Sequence, residues 1–155
     1  METTYFQTFI EAFAAVEQRS RLLDDDYVLC PPSSDFGYHC TPLNAVTFAQ
    51  MGVDGVHYAL LKIEGQVHDN SPVIRVSPMD FDDDIIVLAE SFLSFLAVGC
   101  DVSEAKMQQV FDVERTGTPQ LVDFLSKHFQ RKNIRDDERI HLLTSKLGSL
   151  IERKP

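Results

Sequence analysis

The stretch from Phe48 to Leu61, FAQMGVDGVHYALL, decides the fold because a short segment of glycine and aspartate separates two apolar runs. Glycine takes positive φ angles without steric penalty, and aspartate is a favoured turn residue. The residues after the turn are rich in β-branched and aromatic types and alternate between two faces. The stretch therefore predicts two strands joined by a tight turn that Gly52 and Gly55 flank and that contains Asp54. His57 is expected just inside the second strand, as a partly buried and hydrogen-bonded imidazole.

Four segments carry the strand signature of β-branched and aromatic residues bounded by Gly, Pro, Asn or Asp. They are Ala45 to Ala49, Gly55 to Ile63, Pro72 to Ser77 and Ile85 to Ser91. Their connections are short, which favours an antiparallel meander. One further short strand is predicted at Tyr27 to Cys30, within a connection rich in Pro, Ser and Asp. Both faces of the second strand are apolar, so helices are expected to cover part of each.

Helical spacing of apolar residues dominates the two ends of the chain. An amphipathic helix is predicted from Thr4 to about Leu23, with Phe6 on its apolar face and Gln7 on the opposite face, and a short helix from Phe92 to Cys100 that Gly99 closes. Further helices are predicted to begin near Ser103 and Thr118. A final helix is expected from about Asp136 to Arg153, with Leu150 on its apolar stripe and with Arg153 and Lys154 at its end, where the helix dipole favours positive charge. The sequence thus predicts one α+β domain over residues 1–155, with a central antiparallel sheet of about four to six strands. The N-terminal helix and the C-terminal helices are expected to pack around this sheet.

Composition limits the class of protein. The chain has 155 residues, 44% of them hydrophobic, which is ample material for one core. Its three cysteines, Cys30, Cys40 and Cys100, form no CxxC pair, so they indicate reduced thiols instead of a disulfide framework. The N-terminal residues lack the order of a signal peptide, and the longest aliphatic run is far shorter than the roughly 20 residues of a membrane span. A soluble cytoplasmic protein is expected.

The charge is acidic and unevenly distributed. The net charge is −10; residues 1–101 contain 16 acids and 4 bases, a net of −12, whereas residues 102–155 contain 8 acids and 10 bases, a net of +2. This balance disfavours nucleic acid and anionic membranes as partners and favours a basic protein. Opposite charge in the two parts also permits a homo-oligomer. Two acidic groups stand out, Asp24 to Asp26 and the segment from Asp80 through Asp82, Asp83 and Asp84.

Catalytic and metal-binding interpretations of the same residues are weaker. A catalytic triad would need Cys40 as the nucleophile, His57 as the base and Asp54 as the orienting acid. The sequence has no nucleophile elbow and no local thiol signature to accompany them. No HxH, HExxH or CxxC spacing brings His39, Cys40, Asp54 and His57 together around a metal. The acidic segments lack the glycine and distal glutamate of a calcium loop. No cofactor or metal is therefore expected, and the protein is predicted not to be an enzyme.

Three stretches resemble the bacterial branch of the SUKH superfamily, which includes fungal regulators of cell-wall glucan synthesis. They are TPLNAVTFAQMGVDGVHYALL from Thr41, SPVIRVSPMDF from Ser71 and IVLAESFLSFL from Ile86. The resemblance covers about residues 41–97; Tyr58 stands where the family usually has Phe, and Met51 and Val53 replace smaller residues. It implies an α+β fold with a central antiparallel sheet wrapped by helices.

The resemblance also implies a function. Bacterial SUKH proteins look like immunity proteins that bind and block a cognate toxin, often a nuclease, without a shared catalytic site. A nuclease is typically basic because it binds phosphate, so an acidic surface suits that partner. The expected function is a non-enzymatic binding module with Asp80, Asp82, Asp83 and Asp84 as contacts and with Asp54 and His57 shaping the adjoining turn. The alternatives are a regulatory scaffold that binds a cellular protein or peptide and, third, a small Cys-dependent hydrolase.

Overall fold

A computed structural model describes residues 6, 7, 10, 28–35, 37–51, 54–97 and 137–155. Within these ranges a five-stranded antiparallel sheet has the order β1-β2-β3-β4-β5. The strands are β1 Val28–Ser33, β2 Ala45–Gln50, β3 His57–Leu61, β4 Val73–Val76 and β5 Ile85–Ala89. Each strand pairs with the next one along the chain, so the predicted meander is confirmed, and the short strand predicted near Tyr27 to Cys30 corresponds to the edge strand β1.

Strand β1 is longer than the short strand predicted from the sequence, because it continues through Pro31 and Pro32. Proline has no backbone N–H to donate to a neighbouring strand, so it is tolerated mainly at sheet edges and bulges. β1 is an edge strand, and its register with β2 shifts between Leu29 and Ser33. The edge position thus explains how a Pro-Pro pair lies in a strand.

Both faces of β3 are buried, as its sequence predicted. All five residues of His57–Leu61 are buried, and Tyr58 and Leu60 alternate with the other three. One face contributes to an aliphatic cluster around Ala59, Leu61, Ile74, Val76 and Val87. Helix residue Leu143 and the partly buried Cys40, Leu147 and Ile151 cover this cluster.

Aromatic rings form a second part of the core. Phe92 lies 5.1 Å from Phe6, 6.1 Å from Phe48 and 5.9 Å from Phe95, measured between ring centroids. Phe92 and Phe95 come from the short helix Phe92–Ala97, which Ser91 caps by accepting the N–H of Ser94 on its hydroxyl at 3.0 Å. Gly99, the predicted end of this helix, lies outside the described residues.

Few residues of the other predicted helices are described. At the N-terminus Phe6, Gln7 and Ile10 are helical, with Phe6 buried and Gln7 exposed on the faces predicted for them. The rest of the predicted helix from Thr4 to Leu23 lies outside the described residues, as do Asp24 to Asp26 and the helices predicted to begin near Ser103 and Thr118. The described structure is therefore an antiparallel sheet with helices packed against it.

The C-terminal helix is shorter than predicted. It comprises Asp137–Leu147 and is followed by a single 3₁₀ turn, Gly148–Leu150, after which Ile151 is extended. The prediction of one helix to Arg153 is wrong, because the α-helix ends at Leu147, tightens into the 3₁₀ turn and then gives way to extended chain at Ile151. Leu150, predicted on the buried stripe, is 46% exposed. Arg153 and Lys154, predicted to complement the helix dipole, belong instead to an extended C-terminal tail.

The C-terminal helix lies along the second edge of the sheet. The side-chain hydroxyl of Thr144 accepts the backbone N–H of Val87 in β5 at 2.9 Å. An exposed edge strand offers unpaired backbone groups to other chains, and covering the edge removes that hazard. Thr144 thus satisfies an edge donor of β5 and fixes the helix against this strand.

Asn44 fastens the C-terminal tail to the start of β2. Its side-chain NH₂ donates to the carbonyl of Leu150 at 2.7 Å, and its side-chain oxygen accepts the N–H of Glu152 at 3.0 Å. The N–H of Leu43 also donates to the carbonyl of Glu152 at 2.7 Å. These bonds direct residues 153 and 154 toward the connections at the other end of the strands.

Candidate functional site

His57 is buried and hydrogen-bonded through both ring nitrogens. Its Nδ1 lies 2.7 Å from the carbonyl oxygen of Gly55, and its Nε2 lies 3.0 Å from the hydroxyl of Thr41. A carbonyl can only accept, so Nδ1 carries the hydrogen and Nε2 accepts from Thr41. The side chain is fully buried, which exceeds the partial burial predicted from the sequence. The prediction of a hydrogen-bonded structural histidine at the β2–β3 connection is confirmed.

The turn before His57 has two successive residues with positive φ, Asp54 at 54° and Gly55 at 71°. Asp54 is exposed, and aspartate is one of the few residue types that enter this region without large strain. The Tyr38 ring stacks on the His57 ring with centroids 5.4 Å apart and lies directly against Gly55. The turn, Tyr38 and His57 therefore form one packed unit, and Asp54 shapes the turn as the sequence predicted.

Cys40 lies near this unit in an environment that disfavours a thiolate. Partial burial raises the pKa of the Cys40 thiol, and the negative charge of Asp84 raises it further. A nucleophilic cysteine needs a lowered pKa and a base beside it. Both ring nitrogens of His57 already hold other hydrogen-bond partners, so this geometry does not support a Cys40–His57 catalytic pair.

The free energy of unfolding is expected to decrease as the pH is lowered, because His57 is buried in its neutral form. Burial lowers the pKa of His57 below its ordinary value of 6.5, since the imidazolium loses its hydration inside the fold. The unfolded chain then binds a proton at a higher pH than the folded protein does. The resulting stabilisation is complete above about pH 6.5 and is lost as pH falls toward the folded pKa.

Urea denaturation from about pH 7.5 to about pH 5 measures this effect, with His57→Gln as the control that cannot take up the proton. The unfolding free energy of the wild type should decline more steeply than that of His57→Gln over this range. Parallel declines in the two proteins would contradict the assignment to His57.

The β4–β5 connection, residues 77–84, is held by its own hydrogen bonds. The N–H of Ser77 donates to the carbonyl of Asp84 at 2.7 Å, and the N–H of Asp80 donates to the carbonyl of Ser77 at 3.0 Å. One carboxylate oxygen of Asp80 accepts the N–H groups of Asp82 and Asp83 at 3.3 and 3.1 Å. Asp80 thus organises the loop, while Asp82 and Asp83 are exposed.

Asp84 differs from the other three acids because Arg153 binds it. The guanidinium makes two bonds to the carboxylate, at 2.9 and 3.1 Å. This hydrogen-bonded contact lowers the pKa of Asp84. Lys154 donates to the carbonyl of Tyr38 at 3.0 Å, so the tail connects the loop to the Tyr38 unit. A partner would have to compete with Arg153 for Asp84, whereas Asp80, Asp82 and Asp83 carry no such ion pair within the described part of the chain.

The two connections lie at the same end of the sheet. His57 pairs with Val76, and Val76 pairs with Ile85, so the residues before β3, after β4 and before β5 are neighbours in space. The structure therefore brings Asp54 and His57 to the same end as Asp80, Asp82, Asp83 and Asp84. We call this region, residues 51 and 54–56 with residues 77–84, the acidic end.

A cleft of about 420 Å³ borders the acidic end. Ile86, Leu88 and Ile140 give it an apolar lining, and Asp80, Asp83 and Asp137 contribute three carboxylates. Arg75 supplies one guanidinium, so the lining acids outnumber that base. Such a cleft accommodates a long aliphatic side chain that ends in a positive charge.

No helix among the described residues is long and apolar enough to cross a membrane. In the same residues no group of three or more His, Cys, Asp or Glu side chains is arranged to hold a metal ion.

Comparisons with protein-family models, curated proteins and solved structures found no match.

Sequence reasoning missed the residues that organise the site from a distance. Thr41, Tyr38 and Arg153 each contact a site residue from another part of the chain, and Arg153 lies 69 residues from Asp84. Local spacing carries no signal for such contacts. The one available hint was the Asp-Gly pair at 54 and 55, which marked the turn on which Tyr38 packs.

Proposed function

We propose that this protein is a non-enzymatic binding module, an immunity protein that neutralises a basic toxin domain through its acidic end. The proposal includes membership of the SUKH superfamily, a cytoplasmic location and the arrangement in which N-terminal and C-terminal helices surround the sheet. Its function is inhibition by contact, so it requires no cofactor or catalytic residue.

The observation that carries the proposal is the clustering of exposed acids on connections with defined backbone geometry. Asp54, Asp80, Asp82 and Asp83 are all exposed at one end of the sheet. Clustered charges of one sign steer a partner of opposite sign and fix its orientation. The loop is already ordered in the free protein, so binding loses little conformational entropy there.

The cleft next to the acids supports the same partner chemistry. Lysine and arginine place an aliphatic stem against apolar surface and keep the charge at a polar group. Ile86 and Leu88 fit the stem, and the carboxylates of Asp80 and Asp83 fit the charge. A basic protein therefore matches both the loop and the cleft.

The proposal is tested by capture from the host lysate at low and at high salt, with bound proteins identified by mass spectrometry. The expected result is one basic protein that is retained at low salt and weakened at high salt. Co-expression must also relieve the toxicity of that protein in cells. Recovery of housekeeping proteins alone would favour the regulatory scaffold instead.

Charge reversal at the acidic end is expected to weaken binding strongly. Asp82→Lys with Asp83→Lys should lower the affinity for the captured protein by at least about tenfold, chiefly through slower association, because rim charges act mainly on the association rate. It should also reduce the dependence of affinity on salt.

The matched control for this prediction is Glu64→Lys with Glu90→Lys, which changes the net charge by the same amount. Both are exposed acids at the opposite end of the sheet, Glu64 on the β3–β4 turn and Glu90 directly after β5. Binding and salt dependence should match those of the wild type. Equal effects of the two changes would show that net charge alone, and not the acidic end, drives association.

A further inference from the structure

The β4–β5 loop exposes two large apolar side chains between its acids. Phe81 is 89% exposed and Met79 is 67% exposed, the two largest values in their loop for apolar residues. Isolated exposed apolar residues are ordinary on protein surfaces. Here two of them project from one short loop whose backbone is hydrogen-bonded internally and whose base Arg153 clamps at Asp84.

Burial of a phenylalanine side chain stabilises a folded protein, so exposure of Phe81 forgoes that gain in the free protein. The loop keeps Phe81 outside the core because the Asp80 carboxylate accepts the N–H groups of the two residues that follow it, Asp82 and Asp83. The Phe81 side chain is therefore exposed to solvent beside exposed negative charge, on a hydrogen-bonded backbone.

We propose that Phe81, assisted by Met79, is the apolar anchor of the binding surface, and that it inserts into an apolar pocket rimmed by Lys and Arg on a basic protein. The inference rests on the proposed function, since it names the energetic centre of the same surface. Interfaces concentrate binding energy in a few aromatic anchors that fill pockets, with charged residues around them. Asp80 precedes Phe81 and Asp82 and Asp83 follow it, and these exposed acids provide the matching charges for that rim.

The occupant follows from charge. Exposed acids on both sides of an aromatic side chain repel an acidic pocket and disfavour a second copy of this surface, because like charges would face each other. The net charge of the chain is −10, which adds a long-range attraction for a basic partner. An apolar pocket with Lys and Arg at its rim would bury the aromatic ring and pair with the carboxylates at the same time.

Photo-crosslinking in the host cell tests the inference with the full chain. A benzophenone amino acid replaces Phe81 in one variant and Leu43 in a control variant. Leu43 is also apolar and 54% exposed, but it precedes β2 at the opposite end of the sheet. We expect position 81 to cross-link to one basic protein, within a peptide that contains apolar residues next to Lys or Arg. Cross-linking at position 81 no greater than at position 43 would overturn the inference.

Affinity measurements on the purified complex supply the second test. Phe81→Ala should weaken binding by about 30-fold or more through faster dissociation, whereas Leu43→Ala should leave it unchanged. The dependence of affinity on salt should stay as in the wild type, because no charge is removed.

The outcomes separate this inference from the proposed function. Suppose that a basic protein is captured in a salt-sensitive way but binds Phe81→Ala as well as the wild type. That result would refute Phe81 as the anchor and would still support the acidic end as the binding surface. Absence of both capture and cross-linking would refute the proposed function and the anchor with it.

Discussion

Replacing Phe92 with alanine is expected to lower the free energy of unfolding by about 3 to 5 kcal/mol. Phe92 is fully buried and its ring contacts Phe6, Phe48 and Phe95, so the substitution leaves a cavity between the short helix and the sheet. The loss combines the transfer free energy of the ring with the dispersion contacts of the three neighbouring rings. Urea denaturation followed by circular dichroism measures it.

Phe81→Ala is the matched control for this prediction, since it makes the same chemical change at a side chain that is 89% exposed. The unfolding free energy of this variant should stay within about 0.5 kcal/mol of the wild type. The same result also shows that any loss of binding by Phe81→Ala does not come from unfolding. A similar destabilisation by both variants would contradict the described packing.

Gly55→Ala is expected to lower the free energy of unfolding by about 1 to 3 kcal/mol, more than the same change at Gly65, because the Tyr38 ring must also be displaced. Both glycines have positive φ, 71° and 79°, so both substitutions incur the left-handed penalty of about 1 to 2 kcal/mol. A Cβ at Gly55 would lie 2.6 Å from the Tyr38 ring, whereas a Cβ at Gly65 meets nothing within 4 Å. The difference between the two variants therefore measures the packing of Tyr38 on the turn.

A double-mutant cycle makes this prediction specific. In a Tyr38→Ala background the obstructing ring is gone, so the cost of Gly55→Ala should fall to that of Gly65→Ala. Chemical denaturation of the four proteins gives the coupling free energy. A cost of Gly55→Ala that is independent of Tyr38 would mean that the strain lies in the backbone alone.

Much of the sheet was predictable because its signals are local. The Asp-Gly pair at 54 and 55 marks a turn, and apolar runs on both sides predict strands, so β2 to β5 and their antiparallel order follow from the sequence. The burial of both faces of β3 was also predictable, since polar residues do not alternate with apolar ones along HYALL. These inferences depend only on neighbours within a few residues.

Features that depend on distant partners were not predictable. The C-terminal helix was expected to continue to Arg153, because the apolar spacing continues through Leu150 and Ile151. The structure ends it at Leu147, and Asn44, more than 100 residues earlier, holds the tail that follows. Asp84 was grouped with its neighbouring acids, since no local pattern distinguishes the one carboxylate that Arg153 binds.

The edge strand β1 illustrates a competing rule. Pro31 and Pro32 indicated an irregular connection, yet the strand includes both, because an edge strand tolerates residues without an N–H donor. Whether a strand lies at the edge or in the interior depends on the order of the strands in the sheet, and no local pattern in the sequence shows this order.

Hydrogen exchange of the backbone amides, compared between the free protein and its complex with the captured basic protein, tests the central claim most directly. The account predicts slower exchange in the complex at the acidic end, at residues 54–56 and 77–84, and unchanged exchange at the β3–β4 turn around Glu64 and Gly65. Protection confined to the β3–β4 turn or to the C-terminal helix, with the acidic end unchanged, would contradict it.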